Sequence, residues 1–440
     1  FMNVTVYGNT SNNGGGFHLW TSTTATFLQA LITGNSPDQI SFHPSNESNI
    51  VQVSYSNING GQNDITNNDI GTITWGDGNI DVDPIFVDTA NGNFHLLATS
   101  QLINAGHPDS LDSDGTVADI GAYPYLNSYS GPTWYITEGG NDTTGTGASG
   151  DPFRSIQSGI NFSSDDDSVT VAAGTYVENI NFRGRNIKVV GEDRETTIID
   201  GNQAGSVVTF DNDEVATVLL RSFTIQNGLS QFGGGILMLS AASLLDNLII
   251  KNNFAIGQGG GIGCDNGSTP RIMNTDIINN TVIEGSDGGG GIYLHLQSHA
   301  VLENVFISNN VAAGQGGGMF IKASSNPILT NVVIIENYSD MGAGISVDQS
   351  NPSMNNLTIV GNTADSISSA LNISGGSAPE LINSVLWNNS PREISFPQNN
   401  DPSTIEILYC DLRGGQESII TNDNGTVIWG EGNIDVDPMF

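Results

Sequence analysis

Apolar residues in the second half of the chain alternate; they do not recur at every third or fourth position. Ile292, Leu294 and Leu296 form one period-two run, Val301 and Leu302 a second, and Val305 and Ile307 a third, before Asn309 and Asn310. The following stretch repeats the pattern: Met319 and Ile321, Ile328 and Leu329, Val333 and Ile335, before Asn337. Alternation of this kind predicts short strands with one face in a core. The Gly, Ser, Asn and Pro between the runs predict turns.

The pattern has a long period. Small-residue runs lead into Ile236, Ile262, Ile292, Met319, Ile345 and Leu371, at intervals of 26 to 30 residues. The run is GGG in four cases, GAG before Ile345 and SSA before Leu371. A second series keeps step with it: Asn227, Asn253, Asn280, Asn310, Asn337, Asn362 and Asn389. A fixed period of this size marks a solenoid, in which each repeat buries its apolar face only by stacking on its neighbours. Three strands per turn predict an all-β fold, a parallel β-helix with coils of about 26 residues stacked about 4.8 Å apart. The glycine runs supply positive-φ turns and close backbone approach. The asparagines tolerate left-handed backbone and can form a hydrogen-bonded ladder from coil to coil. The extra polar residues Glu284 to Asp287 in the long coil predict an outward loop.

GGGMFIKASSNPILTNVVIIENY, Gly316 to Tyr338, resembles the repeats of bacterial secreted right-handed parallel β-helix proteins of the pectate-lyase-like class. The stretch from Thr133 to Phe182 is similar to that family's opening segment, where a strand and a short amphipathic helix cover the first coil. On that resemblance, Arg154 to Phe162 form the helix and the coils wind to the right. The resemblance speaks for fold, because one fold hosts many unrelated functions.

An opening segment a third of the way along implies two units. WGDGNIDVDPIF, Trp75 to Phe86, recurs as WGEGNIDVDPMF, Trp429 to Phe440, 354 positions later. Asn35-Ser-Pro and Ile40-Ser-Phe recur as Asn389-Ser-Pro and Ile394-Ser-Phe. Residues 1–125 therefore read as the last coils and exit cap of one β-helix, 126–132 as a short linker, and 133–440 as the next β-helix without its exit cap. The expectation is two tandem units, each incomplete in this chain, from a longer native polypeptide. A 354-residue unit adds about 65 Å of rod.

Charge narrows the partners. Net charge is −35, from 46 acidic and 11 basic residues, and no Lys or Arg precedes Arg154. Nucleic acid and anionic membrane are poor partners for such a surface, and no apolar run has membrane-spanning length. The basic residues Arg183, Arg185, Lys188 and Arg194 suggest an end that docks an acidic neighbour head to tail; pairing inside their own unit is the competing account. Cys264 and Cys410 lie several coils apart, too far for a disulfide.

Chemistry is sparse. A polysaccharide lyase needs a basic residue beside the uronate, with calcium or Arg neutralising its carboxylate. Among Lys251, Arg271 and Lys322, no two occupy matching positions in adjacent coils. A hydrolase needs clustered carboxylates, and Asn274-Thr-Asp276 is one isolated element of the polygalacturonase pattern. His18, His43, His95, His107, His295 and His299 are scattered, and the five tryptophans form no aligned stripe. The expectation is no enzyme and no catalytic residue. Asp112, Asp114 and Asp119, in DSDGTVAD, have the Asp-x-Asp-Gly core of a calcium loop and are the candidate metal ligands. Asp81 and Asp83, recurring as Asp435 and Asp437, are accounted for equally by bound Ca²⁺ and by turn capping. The function expected is an extracellular or cell-surface rod or fibre, partnered with itself head to tail, or an adhesin stalk. The alternative is a carbohydrate-binding or polysaccharide-degrading β-helix with an extracellular glycan as ligand.

Overall fold

The computed structural model describes residues 1–439 apart from 45–47, 69–70, 366–369 and 399–400. Ser368 and Ser369 of the SSA run, and Phe440, lie outside the described residues. Two compact units emerge, Phe1–Phe162 and Ser163–Phe440.

The second unit is a parallel β-solenoid. One coil runs through Ile292–Leu294, Val301–Ser308 and Val311–Gln315, and the next through Met319–Lys322, Ile328–Ile335 and Tyr338–Met341. Each strand pairs in parallel with its counterpart one coil on: Ile292 with Met319, Val301 with Ile328, Ile307 with Ile334, and Val311 with Tyr338. Inward side chains stack in columns. One column runs Met238, Cys264, Leu294, Ile321, Val347 and Ile373, all fully buried.

The three apolar runs of each repeat fall differently from a one-run-per-sheet reading. The second and third belong to one long sheet, bent where Asn274, Asn304, Asn331 and Asn356 adopt positive φ between 49° and 58°. The remaining face is a short sheet after the ladder asparagine, with Ala255, Val282 and Ala312 as its inward residues. Its strands are short and their inward residues small, so apolar periodicity does not reveal it. Leu296, placed by the alternation in the first run, turns outward at φ 47° and is 49% exposed.

The inner asparagine ladder is continuous from Asn253 through Asn280, Asn310, Asn337 and Asn362 to Asn389. At each step the side-chain oxygen of one Asn accepts both the backbone N–H and the amide N–H of the previous one, as between Asn280 and Asn310 at 2.9 and 3.0 Å. The same amide donates its other hydrogen to a strand carbonyl, Ile250 O at 2.9 Å for Asn280. Asn227 stands outside this ladder. It occupies the preceding left-handed position, equivalent to Asn252, donates to Asp200 at 2.7 Å, and leaves Gly228 to bond Asn253. A serine ladder marks another corner, where Ser298, Ser325, Ser350 and Ser377 each donate a backbone N–H to the next hydroxyl, ending on Ser403.

The first unit holds three short parallel sheets of three strands: Thr5–Tyr7 with Leu31–Thr33 and Asn57–Ile58, Phe17–Leu19 with Ile40–Phe42 and Ile65–Thr66, and Thr24–Leu28 with Ile50–Ser54 and Thr72–Trp75. Phe27, Ile32, Ile40, Phe42 and Val51 form its core. An antiparallel hairpin, Phe86–Asp88 with Asn93–Leu96, and a long loop follow. The helix spans Ile156–Phe162, shorter than 154–162, and is buried throughout. It belongs to the first unit, downstream of the 126–132 linker, because Asn161 donates its amide to Ala98 O and Ser100 O at 2.9 Å each. Trp134, Phe153 and Phe162 stack beside it. Among the described residues no helix is long and apolar enough to cross a membrane.

Both units close their last coils with the same local chemistry. In the first, Asn35 donates its amide to Gln39 Oε1 at 2.8 Å, and Asp81 and Asp83 accept the N–H groups of Gly60 and Ile85. In the second, Asn389 donates to Glu393 Oε2 at 2.5 Å, and Asp435 and Asp437 accept the N–H groups of Gly414 and Met439. Ser36-Pro37 and Ser390-Pro391 are both cis. The recurring aspartates thus cap turns.

Candidate functional site

The sheet entered through the glycine runs carries the chemistry on its outer side. In its strands the residues after each inward pair point outward, so Asp265, His295, Lys322 and Asp348 stand in one row on successive coils. His295 Nδ1 lies 3.1 Å from Asp265 Oδ1. Lys322 Nζ donates to Asp287 at 2.9 Å and sits 5.5 Å over the Phe320 ring. The Tyr293 hydroxyl donates to the same Asp287 at 3.2 Å, and burial together with that carboxylate pushes its pKa well up. Lys322 therefore ties down the end of the 284–287 loop, whose Glu284 to Ser286 project into solvent. His295 and Lys322 do occupy matching positions in adjacent coils, a pairing missed when Lys and Arg alone were compared. Tyr293 and Phe320 are buried, so the row offers charge without an aromatic platform.

The corresponding sheet of the first unit is different. Trp20, 59% exposed, stacks on His43 with ring centroids 3.8 Å apart at 16°. His18 lies edge-on to Trp20 and its Nδ1 is 2.7 Å from Ser41 Oγ. His18 Nε2 and His43 Nδ1 have no hydrogen-bond partner. These residues looked scattered because the turn between coils is short here: Trp20 and His43 are 23 positions apart, not 26. The exposed indole is a flat apolar surface; the unpartnered nitrogens of His18 and His43 are buried beneath it.

Asp112, Asp114 and Asp119 come together in the long loop of the first unit as acceptors. Asp119 takes the N–H of Asn104 at 2.8 Å on one oxygen and that of Tyr125 at 2.7 Å on the other. Asp112 accepts the N–H of Asp119, and Asp114 accepts those of Thr116 and Asn127. Burial pushes Asp119 up to about 7, against the pull of its two N–H donors and with the push of Asp112 and Asp114. These carboxylates serve as acceptors for the loop's own N–H groups. Among the described residues no group of three or more His, Cys, Asp or Glu is placed to hold a metal ion.

The other residues singled out from sequence have structural roles. Asp276 pairs with Arg194 at 2.9 Å. Arg185 donates to the Ser163 carbonyl beside Asp165 and Asp167, inside its own unit. Cys264 and Cys410 are free and buried, and burial pushes both thiols up.

The class defined by these features is a right-handed parallel β-helix. A family model described as "Right handed beta helix region" matches residues 218–386. Among solved structures, a pectin methylesterase from carrot is similar at 14% identity and a TM-score of 0.35, over 69% of this chain and 90% of that one. No curated protein matches the chain.

Proposed function

We propose that this protein is a structural β-helix of an extracellular or cell-surface assembly, a stiff spacer or fibre built from tandem units, with no catalytic centre. The observation that carries this reading is the recurrence, 354 positions apart, of one terminal coil with the same capping bonds in both units. A spacer needs length, stiffness and solubility. Stacked cores and side-chain ladders supply stiffness, repetition supplies length, and a net charge of −35 keeps surfaces apart. Electron microscopy of the native polypeptide tests it: extended particles whose length grows with the number of repeats are expected. Compact particles that turn over a polysaccharide would overturn it.

A second reading has one observation in its favour, the exposed Trp20–His43 stack. Sugar rings present C–H faces that pack on an exposed indole, so the first unit would bind an extracellular glycan there. Trp20→Ala should then abolish binding in a glycan array and leave unfolding unchanged. An array with no ligand for the parent protein sinks this reading.

A further inference from the structure

The outward face of the last coils of the second unit has a counterpart in the first unit, and that counterpart is covered. Matching capping bonds and register set Thr5, Tyr7, Gln29, Leu31, Thr33 and Tyr55 against Thr358, Val360, Asn383, Val385, Trp387 and Tyr409. In the first unit the segment from Phe86 to Ala122 lies over this face. Phe86 and Phe94 meet the Tyr7 ring at 5.5 and 5.3 Å, and His107 meets Tyr55 at 4.7 Å. The N–H of Gly121 donates to Gln29 O, and that of Ala122 to Thr5 Oγ1, each at 3.0 Å. Gln29 and Leu31 are left only 1% exposed.

The second unit has the same face uncovered among its described residues. Val360, Val385 and Trp387 are half-buried, Asn383 is exposed, and Tyr409 is 51% exposed. The apolar strip continues back over Ile335 and Val333 in the preceding coil. A contiguous apolar strip open to solvent marks a contact surface.

We propose that this face is the docking surface for a hairpin-and-loop segment with the chemistry of Phe86–Ala122. Such a segment brings two aromatic rings on a hairpin and an apolar loop like the one holding Leu102, Ile103 and Ile120, which are buried in the first unit. Val360 and Trp387 take the rings, and Val385 takes the place of Leu31 beneath the loop. The proposal rests on the internal repeat that also supports the tandem-unit reading, and it does not need the mechanical role.

The test is to append a copy of residues 87–125 after Phe440 of the full chain and map side-chain exposure by hydroxyl-radical footprinting. Labelling of Trp387 and Tyr409 should fall several-fold, while Trp20 in the first unit is unchanged. Val385→Asp in the extended chain should restore labelling with the β-sheet circular dichroism intact. Unchanged labelling of Trp387 and Tyr409, or equal protection by a segment of shuffled sequence, overturns the proposal. Protection without fibres in the microscope would uphold the docking surface and remove the fibre reading alone.

Discussion

Asn310 shows how one side chain can hold several coils. Its oxygen takes two N–H groups from Asn280, its backbone N–H and amide both donate to Asn337, and its amide also donates to Ile277 O. Alanine there leaves buried donors and an acceptor unpaired, a cost of about 2–5 kcal/mol. Urea unfolding of Asn310→Ala should show that loss, whereas Asn227→Ala, outside the ladder, should cost about 1 kcal/mol or less. Equal losses would mean the ladder adds nothing beyond packing. Asp119 carries a pH dependence. Its folded pKa, about 7, is raised above the unfolded value near 3.8, so its contribution is fully present below about pH 4 and is lost as pH rises through about 7. The difference is on the order of 4 kcal/mol. The first unit should therefore weaken across that window in thermal melts, and Asp119→Asn should flatten the slope.

At the scale of elements, glycine spacing decides how closely coils approach. A Cβ on Gly318 would lie 2.6 Å from Gly344 O and 3.0 Å from Ile334 Cγ2, with backbone unable to yield. Gly318→Ala should cost roughly 3 kcal/mol or more and lower the melting temperature of the second unit accordingly. Lys322 tests the outer row. Lys322→Ala removes the partner of Asp287, and faster proteolysis at Glu284 to Ser286 is the expected outcome with global stability little changed. Buried Cys264 and Cys410 should react with a thiol reagent only after unfolding. The glycine runs and the long sheet were legible because their residues are distinctive and recur on one period. The short sheet was not, because its inward Ala255, Val282 and Ala312 carry too little apolar surface to make alternation visible.

For the whole molecule, charge sets the conditions under which the solenoid is stable. With 46 acidic against 11 basic residues, self-repulsion opposes compaction, and salt screens it over about 10 Å at 0.1 M and about 3 Å at 1 M. Melting temperature should rise between those salt concentrations. A fall would mean that ion pairs such as Arg194–Asp276 outweigh repulsion.

The sequence by itself determined the coil. Period-two alternation fixes strands, a period near 26 residues fixes stacking, and recurrence across 354 positions fixes the duplicated terminal coil, since each is a local pattern repeated in order. Only the tertiary structure decided that Asn227 stands one position short of the ladder, with Gly228 in its place, because a one-residue slip reverses inside and outside without altering composition. It also decided that Asp112, Asp114 and Asp119 face N–H groups, and that Trp20 meets His43. Those meetings depend on turn lengths between coils and on how loops fold back, which no periodic pattern records.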